Sequence, residues 1–545
     1  MKNLFIFLLI ALLFTNCEDF LTRNHPTGIT DDQFWETSIQ IDQALSGCYN
    51  FPHGTYHYTD PYASEVHFEG LTDNAFHPGD FLSYVTRIAN GSITPTDGGI
   101  NNFWMSRYSS IRSCSRLLEH LDNAFFIEEK ERERIRGEAI VLRAYYHWDI
   151  MRFWGLSEGI PIVDHALTPN ENYQERKTTE QVYDFILSEL DRAIAIPDFS
   201  FKLEDSRKSN KVDKSVAYAL KAIVALNAKR YDVARQAAKF IIDSNIYELY
   251  YGTSTDNDPA KHFRDLFFTV GQNNKERILY VANGLREATF RLAGPGSGNQ
   301  CATNPTLSIV NAFETKQGFT LEELGQDSID IYSKDPLYKN NRDPRLYSTI
   351  YLPGDNTTMV NYTYLPFADG PDAVGKTNAS RTGFMLKKFI DPEDRTRPYS
   401  GTNSFYLIRY AEILLIYVEA LIESGDWQHP DVLKYINDIR RRSGHIDASA
   451  TKYNTLEKTR ELLRRERRVE LAFEGQRYVD IRRWNIVKDV MSGPLYGAIN
   501  PTTNYKIQVE TRTFIENRNE VWPIPQNEIL ANMNLNQNRG YEDND

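Results

Sequence analysis

The stretch SVAYALKAIVALNAKRYDVARQAAKFII (residues 215–242) decides the fold class of this chain. Its apolar residues recur every three or four positions on both sides of a short break, which is the spacing of two amphipathic helices. Small residues such as Ala222 and Ala238 let two helices approach closely. Because the break at 230–232 is so short, the helices must run antiparallel. The stretch therefore predicts a helical pair of the tetratricopeptide type.

Similar helical spacing recurs elsewhere, although without a strict repeat length. Residues 179–196 form one candidate helix, and residues 406–424 are followed by another that ends near Arg442. Long connecting stretches that are rich in Tyr, Phe, Gly and Pro separate these helices. Connections of more than about 15 residues are usually functional or disordered, and a high aromatic content argues against disorder. We therefore predict long, ordered, aromatic-rich loops at 51–103, 245–310 and 333–405.

The N-terminus has the pattern of a secreted lipoprotein. Lys2 precedes an unbroken apolar run, Leu4–Phe14, of eleven residues. A bilayer span needs about 20 such residues, so the run matches the core of a signal peptide instead. It ends in FTNC, which resembles a bacterial lipoprotein box. We predict a signal peptide at 1–16 and lipidation of Cys17, with more than one acyl chain for stable anchoring.

The composition excludes several classes of protein. The net charge of −12 argues against a nucleic-acid partner. Besides Cys17, the cysteines Cys48, Cys114 and Cys301 have no tight spacing, so neither a disulfide framework nor a zinc signature is present. The glycine-rich segment at 292–300 lacks the G-x-G-x-x-G spacing that a dinucleotide loop requires. The sequence thus predicts no cofactor.

A histidine-rich segment near the N-terminus raises the question of a metal. Histidine and carboxylate side chains can bind zinc, but Pro52 and Gly54 prevent a regular helix there, so the spacing fixes no geometry. We prefer ordinary hydrogen-bonding roles and predict no metal, while a structural metal stays open. The side chains concerned are His53, His57, His67 and His77, with Asp60, Glu65, Glu69 and Asp73 nearby.

Two groups of carboxylates are candidates for catalysis. Glu412 and Glu419 are seven residues apart, or about 10 Å along a helix. Glycosidases place their two carboxyl groups about 5–5.5 Å or about 6.5–9.5 Å apart, so ion pairing is the better interpretation. The acids at 466, 470 and 474 lie among many arginines in RRERRVELAFEGQRYVDIRRW (464–484), which predicts salt bridges. The sequence therefore does not predict an enzyme.

Seven motifs in order along the chain closely resemble the SusD/RagB family of Bacteroidetes outer-membrane lipoproteins. No one of them is decisive, but their order is specific, and together they span nearly the whole chain. The motifs are CEDFL (17–21), GEAIVLRAYYHWDIMRFWG (137–155), NRDPRL (341–346), LIRYAEILLIYVEAL (407–421), YINDIRRRSG (435–444), the arginine-rich run at 464–484 and VWPIPQNEILANMNLNQNRGY (521–541).

The resemblance implies a fold and a domain organisation. The fold is mostly α, a tetratricopeptide-like scaffold of about four helical pairs with long aromatic-rich loops and little β structure. A single globular body is expected over 17–545, with an N-terminal SusD-like part at about 17–245 and a C-terminal SusD/RagB part at about 246–545.

The resemblance also implies a function. Such lipoproteins sit on the outer membrane, facing outwards, beside a TonB-dependent transporter of the SusC kind. They capture an oligosaccharide or another nutrient and help to load the transporter. The acids that follow Cys17 resemble a signal for export to the cell surface. We therefore expect a glycan-binding lipoprotein whose partners are a SusC-like transporter, an oligosaccharide and, through its lipid, the membrane.

The glycan-binding residues are expected in two loops, by analogy with the family. Tyrosine and phenylalanine offer flat apolar faces for sugar rings, and neighbouring amide and charged groups can bind the hydroxyls. We expect only two or three of the candidates to touch ligand, the others serving loop packing. The candidates are Asp73, Asn74, Phe81, Tyr84, Arg87, Arg286, Phe290, Asn299 and Gln300.

Two alternatives stay open at this stage. One is a lipid-anchored glycan hydrolase, which a turnover assay on any bound glycan distinguishes from a binding protein. The other is a helical scaffold for a peptide or protein. The sequence does not identify the ligand.

The lipid anchor gives a direct prediction. Replacing Cys17 with Ala should leave the fold intact and release the protein from the membrane fraction, because the acylated thiol is then absent. Fractionation of washed outer membranes measures this. A Cys17→Ala protein that stays in the washed membranes would show that something other than the lipid holds it there.

Overall fold

A computed structural model describes residues 31–55, 64–79, 82–126, 128–201, 210–252, 258–357 and 362–542. Helices take up 49% of the described residues and strands 8%. The predicted mostly helical fold with little β structure is therefore confirmed. In the described ranges no helix is both long and apolar enough to cross a bilayer. Cys17 and the predicted signal peptide lie outside the described residues.

Nine longer helices form the scaffold. Helices α2 to α7 pack in chain order, each against the next, and α7 also packs against α8 and α9. The helices are α1 (Ser38–Cys48), α2 (Gly98–His120), α3 (Glu129–Ile150), α4 (Thr179–Ala195), α5 (Lys214–Asn227), α6 (Tyr231–Asp243), α7 (Tyr410–Glu423), α8 (Pro430–Arg442) and α9 (Leu456–Glu470).

The helical pair predicted at 215–242 is present as α5 and α6. The Asp213 side chain caps α5 by accepting hydrogen bonds from the backbone N–H groups of Ser215 and Val216. The turn lies at 228–230, slightly earlier than predicted, because Lys229 adopts a left-handed conformation with φ of 56°. The alanines of both helices are buried, as the close approach requires.

Short strands pair in four antiparallel two-stranded sheets within the described chain. Strand β1 pairs with β3, β2 with β6, β4 with β5, and β7 with β8. The strands are β1 (Ala75–Phe76), β2 (Arg277–Val281), β3 (Asn304–Pro305), β4 (Ile350–Tyr351), β5 (Met385–Leu386), β6 (Phe405–Arg409), β7 (Gly493–Ile499) and β8 (Lys506–Arg512).

Short helices and single helical turns occupy much of the long connections. The α-helical ones are Asp31–Phe34, Glu65–Phe68, Ser83–Ala89, Pro259–Asp265, Ala288–Leu292, Leu307–Ala312, Gln326–Lys334, Pro344–Thr349, Arg477–Arg483, Val487–Met491 and Gln526–Ala531. A π-helical turn, Met151–Gly155, continues α3. The tighter 3₁₀ turns are Glu69–Leu71, Leu121–Asn123, Pro169–Glu171, Thr269–Gly271, Pro295–Ser297, Tyr338–Asn340 and Pro392–Thr396.

Two predicted helix boundaries were wrong. The helix expected at 406–424 begins only at Tyr410, because the preceding residues form β6 and pair with β2. Pairing with a distant strand thus overrides the local apolar pattern. Helix α2 begins at Gly98, inside the stretch 51–103 that was expected to be a loop, because the Asp97 carboxylate caps it by accepting from Gly99 N at 2.8 Å.

An aromatic core ties the C-terminal segment to the N-terminal helices. The ring of Trp522 stacks on that of Phe153, with centroids 4.3 Å apart. The indole of Trp154 donates to the carbonyl oxygen of Pro523 at 2.9 Å. One continuous hydrophobic cluster contains these rings together with residues of α1 to α9. The core therefore contains residues from both sides of residue 245.

A second interior feature is a cluster of buried charges at the end of α9. Glu470 accepts from Arg409 at 2.7 Å and from Arg345 at 3.2 Å, and it also pairs with Arg442. These four side chains are at most 1% exposed. Burial alone would raise the pKa of Glu470, but the three arginine charges outweigh it and hold that pKa well below its usual range.

The neighbouring charges extend this cluster. Glu474 accepts from Lys388 and from Arg409, each at 2.6 Å, and Glu276 accepts from Arg409 at 2.8 Å. Burial lowers the pKa of Lys388 to about 8, although Glu474 opposes that shift. The interpretation of the run at 464–484 as salt bridges is confirmed, and the bridges that involve Glu470 and Glu474 are buried.

Replacing Glu470 with Gln should destabilise the protein by about 3–5 kcal/mol, because it leaves buried arginines without their counter-charge. A denaturant titration of the purified variant measures the loss. Glu461→Gln on the same helix is the control, since Glu461 is exposed and surface changes usually stay within about 0.5 kcal/mol. Equal stability of the Glu470→Gln and wild-type proteins would contradict this account of the cluster.

Candidate functional site

Four separate segments of the chain meet at an open cleft of about 600 Å³. Each of the three loops singled out from the sequence contributes to it, and the β7–β8 hairpin supplies a fourth wall. The lining residues are Pro78 from the first loop, Gln300 and Cys301 from the second, 374–379 and Arg381 from the third, and Tyr505, Ile507, Gln508 and Val509 from the hairpin.

The second loop is held in shape by its own backbone. The backbone N–H of Gln300 donates to the carbonyl oxygen of Phe290 at 2.8 Å, and the carbonyl oxygen of Gln300 accepts a hydrogen bond from Gly294 N at 3.0 Å. Gly296 packs so closely that an added Cβ would lie 2.2 Å from an Asp372 carboxylate oxygen. The glycines of the segment at 292–300 therefore serve this tight turn, and no phosphate-binding loop is formed.

Hydrogen bonds connect the second loop to the third. Cys301 N donates to the carbonyl oxygen of Asn378 at 2.9 Å. Asn304 of β3 accepts from Arg381 N at 2.7 Å through its buried side chain. Asn378 itself is left-handed, with φ of 63°. The two walls of the cleft are thus fixed to each other, while the side chain of Arg381 is exposed.

The hairpin wall was missed in the sequence analysis. Ala498 N donates to the carbonyl oxygen of Thr382 at 2.7 Å, and Gly497 packs directly against the same residue. Ile507 of β8 lines the cleft and is buried, whereas Tyr505, which directly precedes the strand, is 64% exposed. The alternation in KIQVETR after the turn-forming residues NPTTN is the signal that could have revealed this hairpin.

Of the candidates in the second loop, only Gln300 lines this cleft. Asn299 is buried and donates to the Ser297 carbonyl oxygen at 3.0 Å, so it supports the turn. Phe290 packs on the exposed ring of Tyr399, with centroids 4.2 Å apart. Arg286 donates to the Tyr399 carbonyl oxygen at 3.2 Å. Arg286 and Phe290 thus form a second exposed patch with Tyr399.

Two of the first-loop candidates serve an internal ion pair. Asp73 is buried and accepts from Arg477 at 2.9 Å and from Arg468 at 2.8 Å. Burial raises the pKa of Asp73, but these arginines outweigh it and bring that pKa to about 2. Asn74 is buried as well, donating to Glu69 at 2.9 Å and accepting from Arg468 at 2.8 Å. Both side chains therefore have protein partners and do not line the cleft.

The other first-loop candidates are also placed away from the cleft or lie outside the structure. Tyr84 is 2% exposed, and its ring packs 5.9 Å from that of Trp522 in the aromatic core. Arg87 is half-buried and donates to Asp97 at 2.6 Å. Phe81 lies outside the described residues. Tyr84 therefore serves core packing and Arg87 an ion pair, and neither lines the cleft.

The carboxylate pair on α7 has no room for a sugar. Glu419 accepts from the Trp484 indole at 2.7 Å and pairs with Arg483. Glu412 lines an interior cavity of about 40 Å³, which holds only a few water molecules. Burial raises the pKa of Glu412 to about 7. This raised pKa reflects a closed, charged interior between helices.

Of the described histidines of the N-terminal segment, His67 and His77 are buried and His53 is half-buried. Nδ1 of His67 lies 2.7 Å from the hydroxyl oxygen of Thr303, and the His67 ring packs edge-on against the ring of His77. Burial lowers the pKa of His77 to about 3. In the part of the chain that the structure describes, no three His, Cys, Asp or Glu side chains are grouped to hold a metal. His57 and Asp60 lie outside that part.

A further cavity of about 490 Å³ lies beside α4 and the helix Arg477–Arg483. Tyr183 and Arg482 are among its lining residues. Arg482 donates to the Glu520 carbonyl oxygen at 2.8 Å and lies 3.3 Å from the centroid of the Tyr478 ring. Its charge is thus engaged within the protein, whereas the side chain of Arg381 in the larger cleft is exposed.

Comparison with known proteins matches both parts of the chain to family models. The model described as the SusD family matches residues 260–541. A second model, described as starch-binding and associating with the outer membrane, matches residues 19–226.

Individual relatives extend these matches over the whole length. SusD-like protein P38 of Formosa agariphila is 24% identical over 99% of each chain. The starch-binding protein SusD of Bacteroides thetaiotaomicron is 22% identical over 77% of this chain and 75% of its own. The crystal structure of a SusD-like carbohydrate-binding protein from Bacteroides fragilis, 26% identical, superposes with a TM-score of 0.77 over 92% of this chain and all of that one.

Proposed function

The chain belongs to the SusD family, and we propose that it is a glycan-binding protein that captures an oligosaccharide in the cleft between its loops and the β7–β8 hairpin. The observation that carries this proposal is the composition of that cleft. It is lined by the exposed aromatic residue Tyr505, by Gln300 and Gln508 with their amide side chains, and by the apolar residue Ile507. The relatives that are described as starch-binding or carbohydrate-binding support it.

The chemistry of the cleft fits a sugar. A tyrosine ring offers an apolar face with a polar end, which matches the C–H face of a pyranose. Amide groups donate to and accept from hydroxyls at the rim. Because the cleft is open, few atoms are desolvated, and we expect dissociation constants of about 1 μM or weaker. Weak capture suits a protein that passes its ligand on.

Family membership also suggests a cellular role. We propose that Cys17 carries the lipid anchor, that the protein faces outwards from the outer membrane, and that it delivers its ligand to a SusC-like TonB-dependent transporter. The family model's association with the outer membrane supports the location. Catalysis is not part of this proposal, since the carboxylates Glu412 and Glu419 are buried among helices and ion pairs.

Glycan binding is tested at Tyr505. Replacing it with Ala should weaken binding several-fold, because the stacking face is lost, and should leave the melting temperature unchanged, because the ring is exposed. A glycan array followed by calorimetric titration measures this. Tyr173→Ala is the matched control, since that ring is 51% exposed and does not line the cleft.

The same experiment separates the alternatives. Glycan recovered unchanged after long incubation supports a binding protein, whereas cleaved products would support a hydrolase. If the Tyr505→Ala protein binds glycan with full affinity, the binding site is not in this cleft.

The transporter partner is tested by co-purification. Gentle detergent extraction of the native membrane should recover this chain with a TonB-dependent barrel, through an interface of about 2,000 Å² or more, as in permanent assemblies. Quantitative mass spectrometry of the eluate measures the ratio of the two proteins. Recovery of this chain alone, with the transporter present in the lysate, would contradict the proposed partnership.

A further inference from the structure

The cleft that we propose for glycan binding has an unusual charge. Lys376 and Arg381 are its charged lining residues among those that the structure describes, and no Asp or Glu joins them. The chain as a whole has 74 acidic and 62 basic side chains, so its average surface is negative. A cleft with only positive charges therefore departs from the overall composition.

Arg381 has a fixed backbone and an available side chain. Its backbone N–H donates to the side-chain oxygen of Asn304 at 2.7 Å. The hydroxyls of the flanking residues Ser380 and Thr382 form a buried hydrogen bond of 3.1 Å. Arg381 is exposed as a residue, and among the described residues no carboxylate lines the cleft beside it. In contrast, Arg345 and Arg409 of the interior are fully paired with carboxylates.

Lys376 is available for a similar reason. The carboxylate nearest to its ammonium belongs to Asp369 and lies 3.8 Å away, and the two side chains are 59% and 99% exposed. Such surface pairs contribute about 0–1 kcal/mol and exchange readily. Asp372, the other acid between residues 362 and 381, is buried and accepts from Gly296 N at 2.9 Å. Neither acid lines the cleft.

We propose that the cleft selects acidic oligosaccharides, whose sugars bear carboxylate or sulfate groups. This inference rests on the proposed function. The guanidinium fork of Arg381 matches the paired oxygens of either anion, and Lys376 adds a second positive charge. Tyr505 supplies the face for the sugar ring. A neutral glycan makes only the stacking and amide contacts, so the anionic group provides the discrimination.

The experiment uses defined probes, including a pair with the same sugars that differs only in charge. Oligogalacturonate is compared with its methyl ester, which has the same sugars without the charge, and alginate and chondroitin sulfate oligosaccharides widen the acidic set. Maltohexaose and laminarihexaose represent neutral glycans. We expect at least one acidic probe to bind about tenfold tighter than every neutral one, a difference of about 1.4 kcal/mol. Its affinity should fall as salt rises from about 50 to about 500 mM, because salt screens the ion pairs.

Two variants then test whether the positive charges of Arg381 and Lys376 contribute to binding of the acidic probe. Arg381→Gln should weaken binding of the acidic probe about tenfold, and Lys376→Gln several-fold, each with an unchanged melting temperature. Arg441→Gln is the matched control, since Arg441 lies on α8 with a side chain 55% exposed. The identity of the acidic probe distinguishes carboxylate from sulfate as the preferred anion.

The possible failures are distinguishable. If neutral glycans bind as tightly as acidic ones, or if both variants keep full affinity, the inference is wrong while the proposed glycan binding stands. If no glycan of either kind binds, the proposed function is contradicted and the inference falls with it.

Discussion

The ion-pair cluster around Glu470 connects segments that are far apart in sequence. Arg345 and Lys388 come from the third long loop, Arg409 ends β6, and Arg442 ends α8. All of them contact Glu470 or Glu474 at the end of α9. Removing such charges from water is costly, so the cluster is stable only when every partner is in place. It therefore requires the loop and the helices to assemble together.

The cleft depends on this arrangement. The wall formed by 374–381 lies in the chain between Arg345 and Lys388, both of which the cluster fixes against the scaffold. Close backbone packing at Gly296 and Gly497 then joins that wall to its neighbours. The site is consequently formed before a ligand arrives, which lowers the entropic cost of binding. The same buried charges that resemble a catalytic cluster in the sequence thus support a binding surface from behind.

Local patterns were sufficient for the helices and for the family, but not for the site. The apolar spacing at 215–242 gave the α5–α6 pair directly, since both helices are formed by neighbouring residues. The partner of Asp73, in contrast, is Arg477, which is 404 positions away. Tyr84 belongs to an aromatic-rich loop in the sequence, yet it packs on Trp522 in the core. Whether a loop aromatic faces solvent is decided by such long-range contacts, which no local window contains.

A crystal structure of the protein with a bound acidic oligosaccharide tests the central claim most directly. The account predicts ligand density in the cleft, with a sugar ring on Tyr505, hydroxyls at Gln300 and the anionic group at the Arg381 guanidinium. Density in the separate cavity beside Tyr183, or on the patch formed by Phe290 and Tyr399, with the cleft empty, would contradict it.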